Sequence, residues 1–189
     1  MSLPRQVRIF RVKGPSEVRV VGVASGIFSV DDVDVFLGKL AAVDEKWGTV
    51  TQAFNASRVA GVEHLVHASR LAIIANENKT GFADSLAIEL ICWAAAERQI
   101  NRALEKMGVR CSRGSLAIVS VGSSVPQVRK AILKIFDNWG ADWDNSLMEL
   151  KAEKLTELQR TFSIFHDEIA VAPVQKLVLE RVALLALAK

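Results

Sequence analysis

Imidazoles are the first side chains to weigh for proton transfer or metal binding near neutral pH, and the sequence holds three, His64, His67 and His166. His64 and His67 are three apart beside Glu63, a spacing that can place two ligands on one helical face, and His166 is followed by Asp167 and Glu168. A metal site needs a third and fourth ligand, which only a meeting of these distant groups supplies. No nucleophile is paired with any of the three. The phosphate loop G-x-x-x-x-G-K-[ST], the dinucleotide fingerprint G-x-G-x-x-G, the hydrolase G-x-S-x-G and the protein-kinase signatures are all missing from the sequence. Gly122-Ser123-Ser124 stands between an apolar run and a helix signal, where backbone N–H groups can hold a phosphate. A plain strand-to-helix turn with a serine cap explains it as well. Enzymatic activity is not indicated; a metal-dependent enzyme built on the His64/His67 region stays open as the alternative.

Charge is more informative. The net charge of +3 is a cancellation. From Arg98 to Lys134, eight cations (Arg98, Arg102, Lys106, Arg110, Arg113, Arg129, Lys130 and Lys134) meet only Glu105, a local +7. The first 28 residues set Arg5, Arg8, Arg11, Lys13 and Arg19 against Glu17, while six cations meet nine carboxylates from Ile135 onward. Arg98 and Arg102 are spaced to stack on one helix face. Such a block reads either as a phosphate-tracking surface for RNA or as solvated helix faces. Aromatic residues make up 6% with no Tyr and no strand-borne stacking pattern, which disfavours an RRM-type platform. Trp139 and Trp143, four apart, read as packing rather than as a partner anchor.

These residues need elements to carry them. Val7–Val12 and Val18–Val23 read as strands around the turn Lys13-Gly14-Pro15-Ser16. Ser29 with Asp31 and Asp32 caps a helix to about Val43, and Thr49–Asn55 is a third strand. Period-3.6 patterning after Gly61 gives an amphipathic helix ending near Asn76–Lys79. Asp84-Ser85 then caps a buried helix, Leu86–Ala96. Ile100–Met107 ends at Gly108, expected in the left-handed conformation. Ser115–Val121 is a buried strand, and a helix from Ser124 runs to about Phe136. Asp137–Asn145 reads as a loop insertion, followed by helices over Met148–Arg160 and from Pro173.

At 189 residues and 50% hydrophobic, the chain is long enough for one well-cored domain. The expected class is α+β, with a small mixed sheet of three to five strands packed with several helices. Two cysteines, Cys92 in an apolar run and Cys111, form no disulfide framework or C-x-x-C pair. The N-terminus lacks the apolar stretch of a signal peptide, and no run of about 18 apolar residues exists to cross a membrane. A reducing, cytoplasmic setting is expected.

An ordered set of residues in the middle of the chain carries more: Gly61, His64, Leu65, then Ser85, Leu86, Glu89, then Arg98-Gln99-Ile100, Ala103, Lys106, Gly108 and Val109. With the run SLAIVSV, it resembles the PRPK-binding-protein family, a small subunit of the KEOPS complex, in its archaeal form. The match is good over roughly Val50–Val121 and looser elsewhere. The resemblance implies a non-catalytic, single-domain subunit without cofactor. It would bind the small atypical kinase/ATPase of the complex, and through it serve the catalytic subunit that makes threonylcarbamoyl-adenosine in tRNA. It would also hold the single-stranded 3′ CCA end of tRNA. Carried onto this sequence, Arg98 and Gln99 become expected RNA contacts, with His64 and Lys79 flanking and Arg102 and Lys106 extending the track. Family members often have glycine where this chain reads Ala94-Ala95-Ala96-Glu97 before Arg98. A protein-interaction subunit without RNA affinity is the third reading.

Overall fold

β-branched and aromatic residues favour strands over Arg8–Lys13 (β1) and Val18–Val30 (β2), which pair as an antiparallel hairpin closed by a turn in which Gly14 N–H donates to the Glu17 carbonyl at 2.9 Å. A computed structural model describes residues 6–187, so Arg5 lies outside the described residues. Helix α1 (Val33–Trp47) carries the chain to β3 (Val50–Asn55), and β4 (Ser112–Gly122) then enters between β2 and β3. The order is β1-β2-β4-β3, with the two-residue β5 (Asp142–Trp143) also on β2. Part of the expected sheet is thereby refined. β2 and β3 run the same way, but β4 separates them, so every pairing is antiparallel.

Side chains along the strands alternate between two cores. Val20, Ala24, Phe28, Leu116 and Ile118 face α1 and α5 (Val125–Trp139). Val21, Val23, Phe54, Val119 and Val121 face a larger helical layer. That layer holds α2 (Val62–Glu77), α3 (Leu86–Ala95), α4 (Ile100–Met107), α6 (Ala152–Phe162), α7 (His166–Val171) and α8 (Val174–Leu184). Among the described residues, no helix is long and apolar enough to cross a membrane.

Three local expectations are corrected. Ser29 lies inside β2, and Asp32 caps α1 instead, its Oδ1 accepting the Val35 N–H at 2.9 Å. Gly108 sits at φ −71°, not in the left-handed region; glycine is required because a Cβ there would lie 2.4 Å from the Leu104 carbonyl oxygen. Residues 137–145 are not a loop. They finish α5, pair with β2 through β5 and enter a 3₁₀ turn at Asn145–Met148. Trp143 stacks on Phe136 with ring centres 3.7 Å apart, and Trp139 lies 4.7 Å from Phe36, so both indoles are packing groups.

Candidate nucleic-acid interface

At the end of α2 the chain turns back through Lys79, which adopts φ 56°, and crosses to α3 by way of Gly81–Ser85. What fixes this crossing is a buried carboxylate. Glu89 on α3 is fully enclosed, and a charge there needs hydrogen bonds to offset lost hydration. It accepts the Ala83 N–H at 2.5 Å and the Trp93 Nε1–H at 2.9 Å. Gly81 passes so near that a Cβ would sit 2.4 Å from the Glu89 Oε1. The loop is thus held down, and Phe82 is pressed toward Trp93, with ring centres 5.4 Å apart.

Beside Phe82 opens a groove of about 760 Å³, lined by Asn76, Lys79, Phe82, Asp84, Ile88 and Ile100. Arg98 stands next to it, the guanidinium carbon 5.3 Å over the Phe82 ring. A mixed polar and apolar lining, an aromatic ring and exposed cations are the features that suit an unstacked nucleobase with its phosphate, against which the Asp84 carboxylate counts.

The six expected contacts divide. Arg98, Gln99 and Lys79 are exposed, with Arg98 and Lys79 at the groove. Arg98 and Gln99 occupy the turn between α3 and α4, so Arg98 does not share a helix face with Arg102 as its spacing had implied. Arg102 is exposed on α4. Lys106 instead reaches back, its Nζ 3.5 Å from the Glu97 carboxylate and from the Ala95 carbonyl.

His64 is corrected outright. Its ring is completely buried, so it cannot touch RNA directly. Nδ1 accepts the Ala60 N–H at 3.2 Å, and Nε2 lies 2.8 Å from the Ala94 carbonyl, an arrangement that places the proton on Nε2. Burial drives the imidazole pKa down to about 4. The neutral ring ties α2 to α3, and neither nitrogen has a lone pair left for a metal. His67 is half-buried, its pKa lowered by burial and by Arg70, and it lines a different cavity beside β1. Among the described residues, no three His, Cys, Asp or Glu side chains form a metal-sized cluster. Cys92 is a core thiol that burial pushes up to about 11.

The basic block is also split by the sheet. Lys130 on α5 lies 5.2 Å over Trp47 in the layer opposite α3 and α4, and Arg129 and Lys134 are on the same helix. Arg113 pairs with Asp142 at 3.0 Å, and Arg110 donates to the Glu105 carbonyl at 3.1 Å. A single +7 track does not exist. The sequence reading missed Phe82, Ile88 and Asn76; a lone phenylalanine between a glycine and a helix cap is the only signal it had.

The C-terminal face is braced to this corner. Arg58 donates through Nη1 to the carbonyls of Lys106 (2.6 Å) and Glu105 (3.1 Å), and through Nε to Glu157 on α6 at 2.8 Å. Lys154, lowered to about 8 by burial, donates to the carbonyls of Val59 (2.7 Å) and Leu147 (3.0 Å).

An antiparallel sheet with a thick helical layer, and on that layer a groove beside a cation and an aromatic ring, defines the class: a compact α+β domain. Residues 39–186 match the family model described as "Kinase binding protein CGI-121", and the chain belongs to that family. It is 27% identical over 142 residues to the "Regulatory protein Cgi121" of Methanocaldococcus jannaschii, an alignment that covers 75% of this chain and 87% of that protein.

Proposed function

We propose that this chain is a non-catalytic, single-domain regulatory subunit of a cytoplasmic KEOPS-type complex. It binds the complex's small atypical kinase/ATPase and holds the 3′ CCA end of tRNA in the groove beside Phe82. In this role it supports threonylcarbamoyl-adenosine formation by the catalytic subunit, with which it is linked only through its neighbours. The kinase partner is supported by the description of the family, and a regulatory role by the name of the archaeal relative. The RNA role rests on one observation, the Arg98 guanidinium poised over Phe82 beside a groove that Phe82 and Lys79 line. Bases of any identity stack on such a face, while the cations meet the backbone.

The test compares intact tRNA with tRNA lacking its terminal CCA. Intact tRNA binds more tightly, and binding weakens steeply with salt. Equal affinity for the two, or none for either, rejects the RNA role and leaves a protein-interaction subunit.

A further inference from the structure

The sheet has two edges, and they are treated differently. At β3 the Thr51 N–H is donated to Asp44 Oδ2 at 2.8 Å and the Ala53 N–H to Gln52 Oε1 at 2.8 Å. Gln52 in turn donates through Nε2 to the Ala87 carbonyl at 2.9 Å. Thr51 and Ala53 are two apart, so these are the groups that face away from β4; side chains of the protein itself occupy them. That edge is closed.

The other edge, β1, has no such cover. Among the described residues, nothing but β2 hydrogen-bonds to the backbone of Arg8–Lys13. Around it stand Arg8, Arg11 and Lys13 on the strand and Arg70 on α2, none with an ion pair among the described residues. Period two places Arg11 and Lys13 on one face of the strand and Arg8 on the other, so the cations straddle the open backbone. A cavity of about 460 Å³ lies alongside, walled by Phe10, Val12, Val66 and Leu179, with one carboxylate in its lining, Glu63, which accepts from Gln175 Nε2 at 3.1 Å.

Cations along a free edge repel a second copy of the same edge, the usual protection against aggregation. That protection alone needs no adjoining cavity. The same charges favour a strand of opposite sign, and the cavity offers a seat for one of its apolar side chains.

We propose that β1 is a docking edge for an acidic, extended segment of a partner chain, which adds a strand to the sheet and seats an apolar side chain against Phe10 and Leu179. Main-chain hydrogen bonds supply affinity in this mode, and the flanking side chains select the sequence.

The probe is an acetylated peptide of alternating Glu and Val, about eight residues long to match a strand. Backbone amide NMR shifts and hydrogen exchange over residues 8–13 give the readout. The Glu–Val peptide is expected to saturate, to shift β1 amides and to slow their exchange. A Lys–Val peptide and a proline-interrupted Glu–Val peptide are expected not to bind. The Arg11→Glu/Lys13→Glu double variant, with unchanged melting temperature, binds the Glu–Val peptide about tenfold more weakly. The proposal is overturned if the peptide leaves β1 unmoved, or if the proline-bearing peptide binds equally well. It is also overturned if oligouridylate moves these amides at lower concentration, or if sedimentation shows a second copy occupying the edge.

Discussion

The guanidinium carbon of Arg98 lies 5.3 Å above the centre of the Phe82 ring. One residue brings charge and the other a π-face, so their removal separates two contributions to RNA affinity. Arg98→Ala should weaken tRNA binding by about 1–2 kcal/mol and reduce the slope of log affinity against log salt by about one. Phe82→Ala should cost about 1–3 kcal/mol with that slope intact. Filter-binding titrations at several salt concentrations measure both. If Arg98→Ala changes neither affinity nor slope, the groove is not the RNA site.

The loop beneath this pair depends on a backbone without a side chain. Gly81→Ala places a methyl 2.4 Å from the buried Glu89 Oε1, and moving this carboxylate aside disturbs its bonds to Ala83 and Trp93. The expected loss is about 1–3 kcal/mol in urea unfolding. Faster hydrogen exchange over residues 81–85 should accompany it. A variant as stable as the parent would show that Glu89 does not anchor the loop.

Ala96 closes α3 with φ 50°, a left-handed conformation that costs an alanine about 1–2 kcal/mol. Its N–H still makes the helix-ending bond to Trp93 at 3.0 Å, so the geometry is imposed by the surroundings. Ala96→Gly relieves the side-chain clash and should stabilise the protein by about 0.5–1 kcal/mol, raising Tm by about 1–4 °C. Calorimetry decides the sign. This is the same patch where relatives were expected to carry glycine.

What the sequence showed best was periodic. The α2 pattern from Val62, the apolar run of α3 and the strand Ser115–Val121 were legible because their buried faces repeat at 3.6 or 2 residues. The end of β2 was hidden, since Ser25, Gly26 and Ser29 resemble turn and cap residues. In the fold Ser25 instead binds the 3₁₀ region, its N–H donating to Asn145 Oδ1 at 2.9 Å and its hydroxyl to the Asp144 carbonyl at 2.7 Å. Partners 120 residues away leave no local trace. For the same reason the sequence suggested Arg98 but not Phe82, whose position is set by Trp93 and Glu89, and counted His64 as a surface ligand when Ala60 and Ala94 enclose it.

His64 also gives the protein a defined response to acid. Its pKa is about 4 when folded against 6.5 for an ordinary imidazole, so between these values the unfolded chain binds a proton that the native state refuses. The stabilising effect of the neutral ring is fully present above pH 6.5 and is lost as pH falls toward 4, at up to ~1.4 kcal/mol per pH unit, or about 3 kcal/mol in all. Urea unfolding of the parent and of His64→Asn across this range checks it. The stability difference between them should shrink as pH falls. Glu168, held low by the Phe165 N–H and by Arg181, is present in both proteins and cancels. A difference that does not change with pH would mean the ring is protonated in the native state.

Helix α4 has only eight residues, and its two ends face different parts of the molecule. Ile100, its first residue, forms part of the groove wall, while its last carbonyls are gripped by Arg58 and Arg110. Arg58 in turn is pinned by Glu157 of α6. The groove wall and the C-terminal helices are therefore linked by an unbroken run of bonded groups, joined at Arg58.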